Sequence, residues 1–237
     1  MSEFDGKVVM ITGAAGNLGA ALAASFAALG SRLALLDHSP ERLERTRDEL
    51  DLPSSTLLVA SDLTVADAVA AAVDKVVTQF GRIDVLANIA GGFTMGPPLH
   101  ETTDSDWELM MALNLRSVFN TCRAVIPHML RQGGGRIINV SARAALEGKA
   151  RMGPYCASKA AVRTLTESLA AEHKLDGINV NCILPGTIDT LQNRAAMPDA
   201  DHSRWVPPAA LADVIVFLAS AAARAVTGAA IPVYGQS

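Results

Sequence analysis

The chain has 237 residues, half of them hydrophobic, and its 20 basic residues nearly balance its 24 acidic residues. This length suits one large core, so we predict a single domain over residues 1–237. The sequence has no basic run and no stretch of about 18 apolar residues, and we therefore expect neither a nucleic-acid nor a membrane partner. The opening MSEFDGKVVM has no signal-peptide pattern, so we expect a cytoplasmic protein.

The first predicted strand leads into a glycine-rich turn. Residues 7–12 form an apolar run typical of a buried strand, and an alanine-rich helical pattern follows the turn. Gly13 and Gly19 allow the backbone to approach a pyrophosphate, and the amino-terminal end of the next helix attracts an anion. We predict that this turn binds the phosphates of a dinucleotide.

The second predicted strand ends in Asp37. An acid at this distance from the glycine turn binds the 2′-hydroxyl of the adenosine ribose and repels a 2′-phosphate. Asp37 therefore predicts NAD(H) rather than NADP(H), although Arg32, His38 and Arg42 lie close to it in the sequence.

Strand and helix patterns alternate along the rest of the chain. This alternation predicts an α/β fold, a single-domain Rossmann-type doubly wound parallel sheet with helices on both faces and ligands at the carboxyl ends of the strands. The predicted strands lie near residues 7–12, 31–37, 56–60, 83–88, 135–141, 178–183 and 229–233.

Tyr155 and Lys159 are four residues apart in a helical pattern, which places a phenol and an ammonium group on the same face of the helix. A nearby cation favours the phenolate, so we predict that Lys159 lowers the pKa of Tyr155 towards neutral pH. Such a phenol is suited to proton transfer.

These features, taken together, resemble the short-chain dehydrogenase/reductase family over the full length of the chain. The glycine spacing T-G-x-x-x-G-x-G differs from G-x-G-x-x-G, and Tyr155 and Lys159 match the Y-x-x-x-K step of the family. The remaining matching motifs are SDL at 61–63, ANIAG at 87–91, ALNLRSVF at 112–119, GRIINVSA at 135–142 and LPGTIDT at 184–190.

The resemblance implies an NAD-dependent oxidoreductase that transfers hydride between nicotinamide and a small-molecule substrate. It implies that Tyr155 donates or relays the proton, that Lys159 holds the nicotinamide ribose, and that Asn114 supports the proton path. The cofactor-binding positions that it implies are Gly13, Asn17, Leu18, Gly19, Asp37, His38, Asp62, Leu63, Asn88, Ala90, Gly91, Tyr155, Lys159, Pro185, Gly186 and Ile188.

Three positions depart from the family pattern. Asn17 replaces the middle glycine of the turn, and we predict that it adopts the left-handed conformation that Asn tolerates. Ile89 replaces the second Asn of the N-N-A-G motif. The catalytic serine of the family usually lies thirteen residues before the tyrosine, where this chain has Ala142. Ser141 is a candidate substitute only if the strand is kinked, because neighbouring strand residues face opposite sides.

In lacking this serine, the chain resembles the dihydropteridine reductase branch of the family, which also lacks it and uses NADH. Reduction of a quinonoid dihydropterin develops less alkoxide charge than reduction of a ketone. Two alternatives remain open at the sequence level: a 3-oxoacyl reductase or sugar or alcohol dehydrogenase, and a nucleotide-binding redox sensor without turnover.

Substrate contacts are expected from a loop at about 190–208. Trp205 in that loop is interpreted either as a stacking surface for a flat heterocycle or as a buried anchor. The other candidates for the substrate cleft are Phe93, Arg143, Arg151, Met152, Met197, His202 and Arg204.

The resemblance also implies a homodimer or homotetramer, formed through the long helices predicted at about 104–131 and 154–174. The three cysteines are widely spaced, which argues against a disulfide framework, and the five histidines show no metal-ligand spacing. We therefore predict no catalytic metal.

Overall fold

The structure, a computed structural model, describes residues 2–236. Within those residues, seven parallel strands form one sheet. The strands are β1 (Val8–Thr12), β2 (Arg32–Asp37), β3 (Leu57–Ala60), β4 (Val85–Asn88), β5 (Gly135–Val140), β6 (Ile178–Pro185) and β7 (Ala230–Val233). Their spatial order is β3-β2-β1-β4-β5-β6-β7. This sheet confirms the predicted fold class, and the predicted strand ends differ from the observed ones by at most two residues.

Helices cover both faces of the sheet. They are α1 (Asn17–Ala28), α2 (Pro40–Glu49), α3 (Ala66–Phe80), α4 (Asp104–Met111), α5 (Ser117–Arg131), α6 (Gly153–His173), α7 (Leu191–Ala196) and α8 (Pro208–Ala219). Residues of α1 and α8 share one hydrophobic core with the sheet, and residues of α3, α5 and α6 share the other.

The two cores follow from the alternation of side chains along each strand. In β1, Val9 and Ile11 belong to the core with α1 and α8, whereas Val8 and Met10 belong to the core with α3, α5 and α6. All four side chains are buried because both faces of a doubly wound sheet are covered. The chain therefore needs a continuous apolar run in β1 rather than an alternating one.

Strands β1 and β4 are neighbours at the point where the strand order reverses. The sheet extends from β1 through β2 and β3 on one side, and from β4 through β5, β6 and β7 on the other. A crevice at this point lies outside the carboxyl ends of the strands, where open α/β sheets bind ligands. The glycine turn after β1, the segment after β4 and the segment after β5 all begin at this edge.

The helix predicted at 104–131 is interrupted. Residues Ala112–Arg116 form a π-helical turn between α4 and α5, and Asn114 lies fully buried inside it. Such wide turns often occur at functional sites because they shift backbone groups and side chains out of the regular helical register.

Candidate functional site

A cavity of about 920 Å³ opens at the carboxyl edge of the sheet. Its lining includes residues that follow β1, β2, β3, β4, β5 and β6, together with Tyr155 and Lys159 of α6. Segments that follow six different strands therefore meet at one site, because the carboxyl ends of parallel strands lie at the same edge of the sheet.

The glycine turn leaves no room for side chains where it approaches its neighbours. Gly13 has a φ of +63°, and a Cβ added to it would lie 2.8 Å from the backbone of Ala90. A Cβ on Gly19 would lie 2.7 Å from the Cα of Ala14. Gly16 precedes α1 and offers no side-chain cap, so the first N–H groups of the helix face the cavity without a side-chain acceptor. This narrow turn and helix end fit a pyrophosphate group.

Asn17 is tolerated for a different reason from the one predicted. It is the first residue of α1 and is not among the described residues with a positive φ, so the predicted left-handed conformation was wrong. Any residue can adopt helical backbone angles, so glycine is not required at position 17. The positive φ of this turn lies at Gly13 instead.

Asp37 ends β2, and its carboxylate is nearly buried at one end of the cavity. Its Oδ2 accepts a hydrogen bond of 3.2 Å from the Ala15 N–H, and its Oδ1 accepts one of 2.9 Å from the His38 N–H. The Asp37 carboxylate is thus held in place by the glycine turn after β1. This arrangement fits a ribose diol better than a 2′-phosphate, because the carboxylate repels a second anion.

Two basic side chains, His38 and Arg42, lie beside Asp37 in the cavity lining, and Nδ1 of His38 is 2.9 Å from Oδ1 of Asp37. The Arg42 guanidinium lies 3.9 Å from the Asp37 carboxylate and donates to the Ala15 carbonyl at 2.7 Å. The Arg32 guanidinium, at the opposite end of β2 from Asp37, lies 4.5 Å from the centre of the Phe80 ring and is not part of the described cavity lining.

Asp62 and Leu63 also line this end of the cavity. Asp62 accepts hydrogen bonds from the Thr64 N–H and hydroxyl, and these bonds hold the pKa of its carboxyl below its ordinary value. The amino-terminal cap of α3 is Val65, so Asp62 does not cap this helix.

Asn88 differs from the other predicted cofactor residues in its surroundings. Its amide is buried between β4, β5 and α5, where it donates to Asn139 at 2.8 Å and accepts from Thr121 at 2.7 Å. Neighbouring Ile89, Ala90 and Gly91 line the cavity, as do Pro185, Gly186 and Ile188 after β6. Asn88 therefore ties the strands together beneath the site.

Lys159 is buried beneath Tyr155 on α6, and its ammonium donates to the Val140 carbonyl at 2.9 Å. Burial lowers the pKa of Lys159 to about 8 and raises the pKa of Tyr155 to about 12. The predicted lowering of the Tyr155 pKa was wrong in direction, because desolvation of the phenol, with a smaller contribution from neighbouring Cys156, raises it.

Asn114 fixes the segment after β4 against α6. Its Oδ1 accepts from the Gly92 N–H at 2.9 Å, and its Nδ2 donates to the Gly92 carbonyl and to the Ser158 hydroxyl. A Cβ on Gly91 would lie 2.8 Å from this Oδ1 and 3.2 Å from the Lys159 ammonium nitrogen. The side chain of Asn114 thus positions the wall of the cavity, and the proton path through this residue stays a prediction.

Ser141 and Ala142 both line the cavity after β5. The Ser141 hydroxyl donates to the Lys159 carbonyl at 2.7 Å and is buried. The chain therefore presents a methyl group, not a hydroxyl, from position 142 towards the substrate side of the cavity.

The substrate side has apolar walls. The Phe93 ring meets the Tyr155 ring edge to face, with 5.0 Å between ring centres. Met152 and Met197 also line the cavity, whereas Trp205 is buried against His202 outside the lining and acts as an anchor of the loop. Of the other candidates, Arg143 lines the cavity; Arg151, His202 and Arg204 do not.

Sequence reasoning missed several lining residues, among them Ala144 and Lys149, whereas Gln192 and Asn193 fall in the predicted substrate loop. The only sequence signal of Ala144 and Lys149 is position, since they follow the end of β5. Across residues 2–236, no group of three or more His, Cys, Asp or Glu side chains is arranged to hold a metal ion. Over the same residues, no helix is long and apolar enough to cross a membrane.

Comparison with known proteins places these features in context. A family model described as short chain dehydrogenase matches residues 7–201. The chain is 37% identical to D-threitol dehydrogenase of Mycolicibacterium smegmatis, over 98% of this chain and 93% of the relative. It is 36% identical to the 3-oxoacyl-acyl-carrier-protein reductase FabG of Thermotoga maritima, over 98% of both chains. The crystal structure of an NAD+-bound xylitol dehydrogenase superimposes with a TM-score of 0.90 at 29% identity, covering 99% of this chain and 100% of that one.

Proposed function

The chain belongs to the short-chain dehydrogenase family, and on that premise we propose that it is an NAD(H)-dependent oxidoreductase acting on a small carbonyl or hydroxyl compound. The observation that carries the proposal is that Tyr155 and Lys159 line the same cavity as the glycine turn and Asp37. A proton donor and a dinucleotide-shaped cleft are the two parts that such a reaction needs.

The residues of the cavity fit NAD(H). Gly13 and Gly19 with the amino-terminal end of α1 would hold the pyrophosphate, and Asp37 would bind the adenosine ribose. Ala90, Gly91, Pro185, Gly186 and Ile188 would contact the nicotinamide half, where small side chains allow close approach. The bound cofactor supplies or accepts a hydride. The relative of known structure named above supports this choice, since it was solved with NAD+.

Tyr155 is the proton donor in the proposed reaction. With a pKa of about 12 it holds its proton at neutral pH, which is the form required of a general acid in carbonyl reduction. The substrate carbon gains the hydride, and the substrate oxygen takes the phenolic proton to give an alcohol. The Lys159 ammonium lowers the energy of the phenolate that remains, and solvent protons restore Tyr155 through the polar groups beneath it.

A quinonoid dihydropterin is the second candidate substrate, and Ala142 is the observation that favours it. Ala142 has no hydroxyl, and the hydroxyl of Ser141, which also lines the cavity, donates to the Lys159 carbonyl. A quinonoid ring is already polarised and needs less stabilisation of a developing oxyanion than a ketone does. The similarity to threitol dehydrogenase and FabG supports the carbonyl or hydroxyl substrate instead.

The test is NADH oxidation by the purified protein with small ketones, a 3-oxoacyl thioester and a quinonoid dihydropterin. We expect turnover with at least one of them, a strong preference for NADH over NADPH, and a loss of about a hundredfold or more in kcat for Tyr155→Phe with NADH binding unchanged. Tight NADH binding without turnover of any compound would favour a redox sensor. Full turnover by Tyr155→Phe would remove the assigned acid.

We also propose that the protein functions as a single domain that pairs with further copies of itself through α4 and α5. Exposed apolar side chains on this face, Trp107, Leu109 and Phe119, support the interface. The loop at 190–208 contributes Met197 to the substrate side. A Phe119→Glu variant should shift the sedimentation velocity towards the monomer, and an unchanged oligomer would place the interface elsewhere.

A further inference from the structure

Arg42 lines the adenosine end of the cavity and has no part in the reaction proposed above. It lies in the first turn of α2, where its backbone N–H donates to the Ser39 hydroxyl that caps the helix, at 3.2 Å. The Arg42 side chain is half exposed, whereas the Asp37 carboxylate beside it is buried and accepts backbone N–H groups. The cation is therefore able to reorient towards a ligand, while the acid is fixed.

Two contacts hold the Arg42 guanidinium over the glycine turn. Nη2 donates to the Ala15 carbonyl at 2.7 Å, and Nη1 lies 3.9 Å from Oδ1 of Asp37. The N–H of Ala15 donates to Oδ2 of the same carboxylate at 3.2 Å. Because a guanidinium is planar and its donors point in fixed directions, the bond to Ala15 also sets the direction of Nη1. The positive charge therefore lies beside Asp37 before any cofactor binds.

The contact between Arg42 and Asp37 is electrostatic and is not a hydrogen bond. A separation of 3.9 Å exceeds hydrogen-bond distance, so the carboxylate does not take a proton of Nη1. Arginine binds phosphate oxygens well because its parallel N–H groups match them in pairs. Nη1 thus keeps a donor for an anion that arrives beside Asp37.

The other charged groups near Asp37 do not duplicate Arg42. The exposed imidazole of His38 lies 2.9 Å from Oδ1 of Asp37 and carries a positive charge only when it is protonated. Asp62 adds a second acid to the lining, and Glu41, outside the described lining, accepts from the capping hydroxyl at 2.8 Å. A guanidinium stays charged at every pH at which an enzyme is assayed. Arg42 is therefore the permanent cation at this end of the described lining.

The two nicotinamide cofactors differ at this end by one charged group. NADPH carries a 2′-phosphate where NADH has the hydroxyl that Asp37 is proposed to bind. A phosphate at that point would be repelled by the Asp37 carboxylate and attracted by the Arg42 guanidinium. A hydroxyl has no net charge, so the charge of Arg42 affects it much less. Arg42 thus acts mainly on the cofactor that Asp37 disfavours.

We infer that Arg42 is a specificity-determining residue for the cofactor: it offsets part of the repulsion between Asp37 and a 2′-phosphate, and it binds that phosphate once the charge of Asp37 is removed. This inference rests on the proposed function and adds a second residue to the choice of cofactor at the same site. Asp37 and Arg42 act on NADPH in opposite directions. The native preference for NADH is therefore smaller than Asp37 alone would make it.

A double-mutant cycle tests whether both residues act on the same phosphate. Dissociation constants for NADH and NADPH are measured from nucleotide fluorescence with the native protein, Arg42→Met, Asp37→Asn and the double variant. Arg42→Met should weaken NADPH binding about fivefold more than NADH binding, a modest factor because the guanidinium is half exposed. Asp37→Asn should tighten NADPH binding about tenfold, and adding Arg42→Met should remove most of that gain.

The outcomes of the cycle separate a role in specificity from a structural role. Equal weakening of NADH and NADPH by Arg42→Met would make Arg42 only a support of the glycine turn and would overturn the inference. Retention of the NADPH gain in the double variant, or no gain in Asp37→Asn, would overturn it as well. The matched control is Arg45→Met, since Arg45 is an exposed cation further along α2 and outside the described lining. It should leave both dissociation constants unchanged, and a shift equal to that of Arg42→Met would contradict the assignment.

Fragments of the cofactor separate this inference from the proposed function. Adenosine 5′-monophosphate and adenosine 2′,5′-bisphosphate differ only in the 2′-phosphate and lack nicotinamide, so their calorimetric titration needs no turnover. In Asp37→Asn we expect the bisphosphate to bind about tenfold more tightly than the monophosphate, with this advantage weakened by added salt and lost in the double variant. Equal binding of the two fragments would overturn the inference, while NADH oxidation by the native protein would still decide the proposed function.

Discussion

The Ser141 hydroxyl donates a hydrogen bond of 2.7 Å to the main-chain carbonyl of Lys159, joining the end of β5 to α6. The Lys159 ammonium returns the contact by donating to the Val140 carbonyl. This pair of bonds fixes the lysine from both ends and leaves the Ser141 hydroxyl proton engaged with the Lys159 carbonyl.

The Ser141→Ala variant should therefore lose stability rather than catalytic power. Removing the hydroxyl takes one buried hydrogen bond from the Lys159 carbonyl, which keeps its bond within α6, at a cost of about 0.5–1.5 kcal/mol. We expect urea unfolding to show this loss, with kcat within about threefold of the native value. A fall in kcat of about a hundredfold at unchanged stability would instead make Ser141 a catalytic residue.

The Ala142→Ser variant distinguishes the two classes of substrate. A hydroxyl at this lining position adds a hydrogen-bond donor for the oxyanion of a ketone, and such a donor typically changes turnover by about a hundred- to a thousandfold. A ketone reductase should respond by at least tenfold in kcat, whereas a quinonoid reductase should change little. Ala142→Gly is the control for the change in side-chain size.

The Asp37→Asn variant should relax cofactor choice. Asn keeps an oxygen that accepts the hydrogen bond now made by the Ala15 N–H, so the turn retains its support while the charge disappears. We expect the ratio of kcat/KM for NADPH to that for NADH to rise at least tenfold, because the repulsion of a 2′-phosphate is removed. An unchanged ratio would show that the charge of Asp37 does not set the preference.

The Lys159→Met variant should be inactive but more stable than the native protein at pH 7. Burial lowers the pKa of Lys159 from 10.5 to about 8, so the folded state holds this proton less tightly than the unfolded chain. Below pH 8 the buried charge costs roughly 3 kcal/mol, the scale of two to three pKa units.

The same pKa shift fixes the sign of the pH dependence. Between pH 8 and 10.5 the unfolded chain binds more protons at Lys159 than the folded chain, so the native protein gains stability from this group as pH rises. The advantage of Lys159→Met should shrink over that range in denaturant unfolding measured at a series of pH values. An advantage that grew with pH would contradict the assigned direction.

Arg151 should tolerate Gly better than Ala. Its φ is +63°, its carbonyl accepts from the Gly96 N–H, and its Nε donates to the Gly96 carbonyl. Both variants lose the side-chain bond and keep the backbone bond, so their difference isolates the left-handed conformation, which costs a residue with a Cβ about 1 kcal/mol. Thermal unfolding should rank Arg151→Gly above Arg151→Ala, and equal stabilities would mean that the backbone relaxes.

Local patterns in the sequence determined much of this protein. The apolar run of β1, the glycine turn and Asp37 predicted the sheet and its dinucleotide cleft, because these features depend on neighbours within a few residues. The Y-x-x-x-K step predicted that Tyr155 and Lys159 share one helix face and line one site. Strand ends were accurate to two residues for the same reason.

Only the tertiary structure decided what each group experiences. Burial sets the pKa values of Tyr155 and Lys159 in directions that spacing along a helix does not reveal, since desolvation depends on what the fold places around them. The hydrogen bond of Ser141 and the internal position of Asn88 also depend on contacts between distant parts of the chain. The meeting of Asp37 with Tyr155 and Lys159 in one cavity follows from the strand order, because distance across a sheet is set by topology rather than by sequence.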